Sequence, residues 1–325
     1  MKIEHIKIKE LYKEWNLETS FDERVNILSG INGSFKSTSL RLIRDLLISK
    51  SRNTTKVSEV EIKCSGCISV FYKHFEDSLL ALKKIKDDEL LLELASQIQA
   101  DWKNVDEKSL SQRVLKADIV AFKQDGKKMS VKDFDQICKV DFISTFDMPQ
   151  DGERDDNASY LDFQLKKLES DYAYYLSDLA KNVTDKILSE GNMDLKIFDE
   201  IYRQNKLFVS IINNAFKDTG KKIDTNQSKL VFNIDGQDLS SRNLSSGEKQ
   251  LLIIMLTVLL EREQEYVLLM DEPEISMHFE WQCKLIENIL ALNPNCQIIL
   301  TSHSPALIMN GWEQYVLDMN VIRQK

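Results

Sequence analysis

The run from Val25 to Ile48 most constrains what this chain can become. An apolar stretch, VNILS, is followed by Gly-Ile-Asn-Gly-Ser-Phe-Lys-Ser from Gly30 to Ser37 and then by the helix-like SLRLIRDLLI. A strand that stops at a glycine and feeds a helix points loop and first-turn N–H groups at one spot, the arrangement an anion requires. The eight residues nearly match the phosphate-loop pattern GxxxxGK[ST]. In that reading Gly30 opens the loop, Asn32, Gly33, Ser34 and Phe35 supply N–H donors, Lys36 reaches the β- and γ-phosphates, and Ser37, followed by Thr38, ligates Mg²⁺. The departure is Phe35, where the pattern has glycine. If the position demands positive φ, a phenylalanine there is strained.

A second constraint lies near the other end. YVLLMDEPE, from Tyr266 to Glu274, is an apolar strand that delivers two adjacent carboxylates at its C-terminal end. Buried strands seldom finish that way without a use for the charge. Asp271 is expected to hold Mg²⁺ through water, and Glu272 to polarise an attacking water, the division of labour of phosphoryl transfer. A further apolar strand, CQIILTS, leads into His303, which falls where strand C-termini gather.

With these residues in place, LSSGEKQ at Leu244 to Gln250 resembles the LSGGQ signature of ABC-type ATPases, with Ser246 for the first glycine and Glu248 for the glutamine. The family's ordered motifs are then complete: Walker A at Gly30 to Thr38, signature at Leu244 to Gln250, Walker B at Val267 to Glu272, D-loop at Ile275 to His278, and H-loop at His303. The resemblance implies that Ser245 and Gly247 touch the γ-phosphate of nucleotide held by another protomer. It implies that His303 contacts the γ-phosphate in cis, and that Gln150 is the Q-loop ligand to the metal. DEPEISMHFEWQ is similar to the form found in the SMC- and OLD-related, AAA-type branch, many of whose members serve bacterial anti-phage defence beside a nuclease or other toxic effector. The chain continues only briefly past His303, which leaves no room for a Toprim nuclease domain and implies an effector on a separate chain.

The interval from Lys36 to Ser245 is about twice that of transporter nucleotide-binding domains. A largely helical insertion is expected to fill it. The expected fold is therefore α/β: an ABC-type ATPase head, a P-loop NTPase with a mixed sheet and flanking helices, interrupted between Walker A and signature. Residues 1–75 form the N-terminal lobe, 76–229 the insertion, and 230–325 the C-terminal lobe. Within the insertion, residues 76–118 carry helical spacing, Ile119 to Phe122 and Phe142 to Ser144 read as a short strand pair, and Met148 to Tyr160 as a loop. Leu161, Leu165, Leu168, Tyr172, Tyr175 and Leu179 recur at steps of four and three, an apolar stripe suited to a core-facing or bundle helix. Beyond Leu230, KLVFNI reads as a strand and Gly236 to Asn243 as a polar loop.

Composition closes other routes. At 325 residues, 42% hydrophobic and 29% charged, the chain can bury a core and is neither disordered nor a disulfide scaffold. The apolar run Leu251 to Leu260 is too short to span a membrane, and MKIEHIKIKELYKEW lacks a signal-peptide h-region, so a cytoplasmic location without membrane partners is expected. A net charge of −9 argues against constitutive nucleic-acid coating but leaves local contacts open. Clusters at Lys83, Lys84 and Lys86, at Lys127, Lys128 and Lys132, and at Lys217, Lys221 and Lys222 read as solvated faces. Cys64 and Cys67 offer two ligands where zinc needs about four, and their surroundings alternate like two strands joined at Gly66.

These observations favour a Mg²⁺-dependent ATPase that forms a homodimer or higher homo-oligomer around ATP and controls a separate effector. The alternatives are an SMC-like DNA-repair ATPase, a transporter nucleotide-binding subunit, and a nucleotide-sensing scaffold in which Phe35 has abolished turnover. Glu272 argues against the last, since a base would then have no purpose.

Overall fold

Alternation of apolar and polar side chains sets the first layer of structure. Ile6 and Ile8 of strand β1 (Ile3–Leu11) are buried while the residues between and beside them are not. Strand β2 (Trp15–Ser20) pairs with it antiparallel, as the charged turn between them allows. The computed structural model describes residues 1–49, 57–75, 117–144, 159–190 and 195–325. The helical spacing expected before residue 117, the cluster Lys83, Lys84 and Lys86, Gln150, and the loop expected from Met148 lie outside these residues, apart from Ser159 and Tyr160, which begin a helix.

The chain divides into two compact units, Met1–Val140 with Leu317–Lys325, and Asp141–Val316. In the first, β1 and β2 belong to a seven-stranded sheet with β4 (Glu59–Cys64), β5 (Ile68–Phe75), β6 (Ala117–Gln124), β7 (Lys127–Lys128) and β15 (Arg323–Gln324), in the order β15-β2-β1-β4-β5-β6-β7. Every neighbouring pair is antiparallel. The two expected strands around Cys64 and Cys67 are β4 and β5, turned at Gly66 and Cys67, both at positive φ. Strand β3 (Val25–Ser29) precedes the phosphate-loop segment, and α1 (Lys36–Arg44) follows it.

In the second unit β12 (Tyr266–Asp271) and β13 (Cys296–Thr301) run parallel with every residue buried. Burial on both faces explains why their sequences are mostly apolar rather than alternating, with Gln297, Asp271 and Thr301 as the buried polar exceptions. Strand β8 (Val140–Ser144) lies on the other side of β12. The expected pairing of residues 119–122 with 142–144 is therefore wrong: both are strands, but β6 sits between β5 and β7 while β8 neighbours β12. Two short apolar runs close in sequence carry no register information of their own. The segment Gly236 to Asn243 is also more than a loop, because β10 (Phe232–Ile234) and β11 (Gln237–Leu239) form a hairpin. Its two-residue turn, Asp235-Gly236, has both φ values positive, as a right-twisting hairpin turn requires.

The expected stripe lies on α3 (Tyr160–Glu190), where Leu165, Tyr172, Tyr175 and Leu179 are buried. This helix packs on α6 (Ser246–Leu260), whose apolar residues are buried on all faces. Polar ties reinforce the packing along its length. Asp162 pairs with Lys249 at 2.7 Å, Glu169 accepts from the Ser241 hydroxyl, and Asp178 pairs with Arg262 at 2.6 Å. Helices α4 (Leu195–Ile201) and α5 (Arg203–Ala215) complete this side, where Asn205 accepts the buried Tyr172 hydroxyl at 2.8 Å. Helix α7 (Phe279–Leu292) is held by Trp281, whose ring packs at a tilt against Phe216 and whose indole N–H donates to the Ala215 carbonyl at 3.1 Å. Among the described residues no helix is long and apolar enough to cross a membrane.

Half-buried Asp141 on β8 gives this unit a pH dependence. Burial, with Glu261 adding repulsion and Lys167 opposing it, pushes its carboxyl up to about 7. A carboxyl that holds its proton more tightly folded than unfolded contributes stability at acidic pH that is lost as pH rises through the folded value. Asp141→Asn removes this titration. Its melting temperature is expected to gain on wild type by several degrees between pH 5 and pH 8 in thermal denaturation; a constant difference would contradict the assignment.

Candidate functional site

In the first unit, the Gly30–Phe35 loop is bent by backbone conformations that few residues adopt. Gly30 and Gly33 have φ of 148° and 79°, and a Cβ on Gly30 would lie 2.7 Å from the Ser34 Oγ. Ser34 is fully buried, and its Oγ has no hydrogen-bond partner among the described residues. Lys36 folds over the loop, its Nζ donating to the carbonyls of Gly30 at 2.8 Å and Ile31 at 3.2 Å. The N-terminus of α1, with Ser37 and Thr38 in its first turn, follows directly. Clustered N–H donors, a cation and a hydroxyl at a helix start fit the triphosphate of ATP. Ser37 in the first unit and Asp271 in the second are each a hard oxygen donor of the kind Mg²⁺ takes.

Phe35 occupies the glycine position at φ 69° and ψ 20°, so the expected left-handed strain is present. Its origin can be named, and so can its compensation. The Phe35 ring stacks on Tyr12, with centroids 5.7 Å apart, and tilts against Trp15 at 6.0 Å. The Arg323 guanidinium covers the Trp15 ring at 4.9 Å and donates to the Gly33 carbonyl at 3.3 Å. Left-handed geometry costs a non-glycine residue about 1–2 kcal/mol, and each aromatic pair returns about 0.5–1.5 kcal/mol beyond burial. The two nearly cancel, and the sign of a substitution depends on which is removed. Phe35→Ala keeps the strain and loses the rings, whereas Phe35→Gly loses both. Phe35→Ala is therefore expected to melt at lower temperature than Phe35→Gly and to bind ATP more weakly in calorimetry; the reverse order would show that the backbone is not the constraint.

In the second unit, the register of β12 and β13 places Asp271 opposite Thr301. The Thr301 hydroxyl donates to Asp271 Oδ1 at 2.7 Å and accepts from the Glu272 N–H at 2.9 Å, so one side chain fixes both carboxylate residues. Asp271 is 1% exposed, while Glu272 is half-buried at φ 49°. His303, two residues beyond Thr301, is exposed. Nothing in the sequence marked Thr301, because its role exists only through the parallel register.

The signature segment starts α6 and is capped as its sequence suggests. Ser245 is the N-cap; its Oγ accepts the Glu248 N–H, and Glu248 Oε2 accepts the Ser245 N–H, a reciprocal capping box. Glu248, the departure from the signature glutamine, also takes Lys221 Nζ on both oxygens at 2.9 and 2.8 Å. Burial alone would raise this carboxyl, but Lys221 and the cap bonds hold it below its usual range. Lys221 is thus not part of a solvated face, with its side chain 16% exposed against 2% for Glu248. Gly247 is required by close approach: a Cβ would fall 2.1 Å from the Ser276 carbonyl oxygen. The loop residues Gly30 to Thr38 therefore stand in the first unit, and Ser245, Gly247, Asp271, Glu272 and His303 in the second. Among the described residues no cluster of three His, Cys, Asp or Glu forms a self-contained metal site, Cys64 and Cys67 included.

Comparison with known families matches residues 25–310 to the one described as "AAA domain, putative AbiEii toxin, Type IV TA system". The Septu protein PtuA of Bacillus thuringiensis is 22% identical over 324 residues, spanning 94% of this chain and 72% of that protein. The retron Vc95 probable ATPase of Vibrio cholerae serotype O1 biovar El Tor is 28% identical over 97 residues, 26% of this chain and 19% of that one. The SMC head domain from Thermotoga maritima, at 13% identity and a TM-score of 0.48, covers 95% of this chain and 92% of that structure. The family match spans most of the chain and takes in the phosphate loop, signature, carboxylate pair and histidine: the chain belongs to the AbiEii-type AAA-domain family.

Proposed function

We propose that the protein binds and hydrolyses ATP with Mg²⁺, dimerises around the nucleotide, and uses the cycle to control a separate effector in anti-phage defence. The observation that carries the reading is the pair Asp271 and Glu272, fixed by Thr301 at the end of a buried strand, in a chain that also bears a built phosphate loop. The relatives named as a Septu protein and a retron ATPase support the defence setting. An effector chain such as a nuclease, and a cytoplasmic setting, belong to the same proposal.

In this scheme Lys36 exchanges its loop carbonyls for phosphate oxygens, and Ser37, Asp271 and Gln150 would hold Mg²⁺, which when bound would neutralise phosphate charge. Glu272 accepts a proton from the attacking water, and His303 donates to the γ-phosphate. The Ser245 hydroxyl accepts from its own helix and so keeps its O–H for a phosphate held by a partner protomer. Because α3 is tied to α6 by Asp162–Lys249 and Asp178–Arg262, movement of the signature helix reaches the helical segment that an effector would read.

Lys36→Ala deletes a charge-assisted phosphate contact worth roughly 1.5–3 kcal/mol. Calorimetry is expected to show at least tenfold weaker ATP binding, and unchanged affinity would remove the phosphate-loop assignment. Glu272→Gln keeps the shape but loses the base. With ATP it is expected to accumulate as a dimer in light scattering, with hydrolysis lost. Mixing Ser245→Arg with Lys36→Ala chains should restore part of the ATPase activity, because one composite site then has an intact loop facing an intact signature. A Glu272→Gln protein that stays monomeric with ATP would defeat the shared-site scheme.

A further inference from the structure

Two side chains beside the carboxylate pair are fixed in bonds that the chemistry above does not use. Glu274 is 8% exposed, and its Oε1 accepts the Ser302 hydroxyl at 2.5 Å and the His303 N–H at 3.1 Å. Its Oε2 is buried with no hydrogen-bond partner among the described residues. Gln282 of α7 donates to the Met277 carbonyl at 2.9 Å and accepts the Ser304 hydroxyl at 2.6 Å. The segment Glu274–Met277 is therefore joined to Ser302–Ser304 twice, once on each side of His303. The same segment presents the Ser276 carbonyl to Gly247, with no room for a methyl group between them. Glu272 and Ser276 are left-handed at φ 49° and 68°, so tertiary bonds rather than local preference set this path.

We propose that Glu274, with Gln282 as its counterpart, is a positioning residue that binds the His303 loop to Glu274–Met277, so that a shift of His303 on meeting a γ-phosphate is passed through Ser276 to Gly247 and the signature helix. The inference rests on the nucleotide reading given above and adds the internal linkage by which one nucleotide contact reports to another. Leaving a buried carboxyl oxygen unsatisfied is costly, and a side chain kept for packing alone would be better replaced by an apolar one. Burial holds the Glu274 carboxyl above the usual range, with the charge of Glu272 adding to it, against the pull of the Ser302 and His303 bonds. Glutamine reproduces the acceptor at Oε1 and matches the shape of a protonated carboxyl.

Hydrogen–deuterium exchange on the full chain, with and without a non-hydrolysable ATP analogue and Mg²⁺, tests this linkage. In nucleotide-free Glu274→Ala the His303 amide is expected to exchange at least tenfold faster than in wild type, and Glu274→Gln to match wild type. With the analogue, wild type should gain protection over residues 30–38, 245–248 and 274–277, while Glu274→Ala gains it only over 30–38. In the same variant kcat should fall at least tenfold with analogue affinity within twofold, and Glu274→Gln should recover kcat. Gln282→Ala, which leaves the buried carboxyl in place, should likewise uncouple 274–277 should Glu274→Ala fold poorly. Wild-type exchange at His303 in Glu274→Ala, or a wild-type response of 274–277 to the analogue in both alanine variants, would overturn the proposal. If wild type shows no nucleotide protection at residues 30–38, the ATP reading fails, while the nucleotide-free exchange still decides whether Glu274 fixes the His303 loop.

Discussion

The parallel register of two fully buried strands governs the second unit of this protein. Because Asp271 stands opposite Thr301, a single hydroxyl can hold one carboxylate and the backbone of the next, and the chain leaving each strand emerges beside the other. A slip of one residue would send every side chain of the strand to the opposite face. The apolar residues of both strands fill the core, while the bonds of Thr301 to Asp271 and Glu272 belong to this register alone. Those bonds keep a pair of acids and a histidine loop at one edge, with Glu274 and Gln282 bridging the loops that leave it.

How much of this was legible in the sequence depends on the range of the interaction that decides it. The loop from Gly30 to Ser37, the acid pair, and the signature are written in contiguous residues, and all stand in the elements expected of them. The left-handed backbone at Phe35 was legible too, since the pattern itself places a glycine there. Tyr12 and Trp15 were not, because ring packing across a strand turn leaves no periodic trace. Lys221 looked like one more solvated lysine until Glu248 was found beneath it, 27 positions away. The β10–β11 hairpin was a missed signal rather than an absent one, since Asp235-Gly236 is a two-residue turn of the preferred kind, hidden by the exposed, polar β11.

Charge is distributed with a similar economy. A chain with net charge −9 keeps several of its buried or half-buried charges in pairs on the second unit, at Glu248–Lys221 and Asp162–Lys249, both at or near the start of the signature helix. Buried pairs add little net stability, but losing one partner is expensive. Such pairs favour one arrangement of that helix over its alternatives, which suits an element whose position carries information.

The aromatic clamp on Phe35 changes what the phosphate-loop motif means in this chain. A glycine in the pattern stands for a backbone conformation, and a chain can meet the requirement with a bulky residue if neighbouring rings hold it there. A pattern that insists on the glycine letter therefore passes over a left-handed loop of this kind. An aromatic at that position, matched by aromatics on the preceding hairpin, can stand for the same backbone conformation.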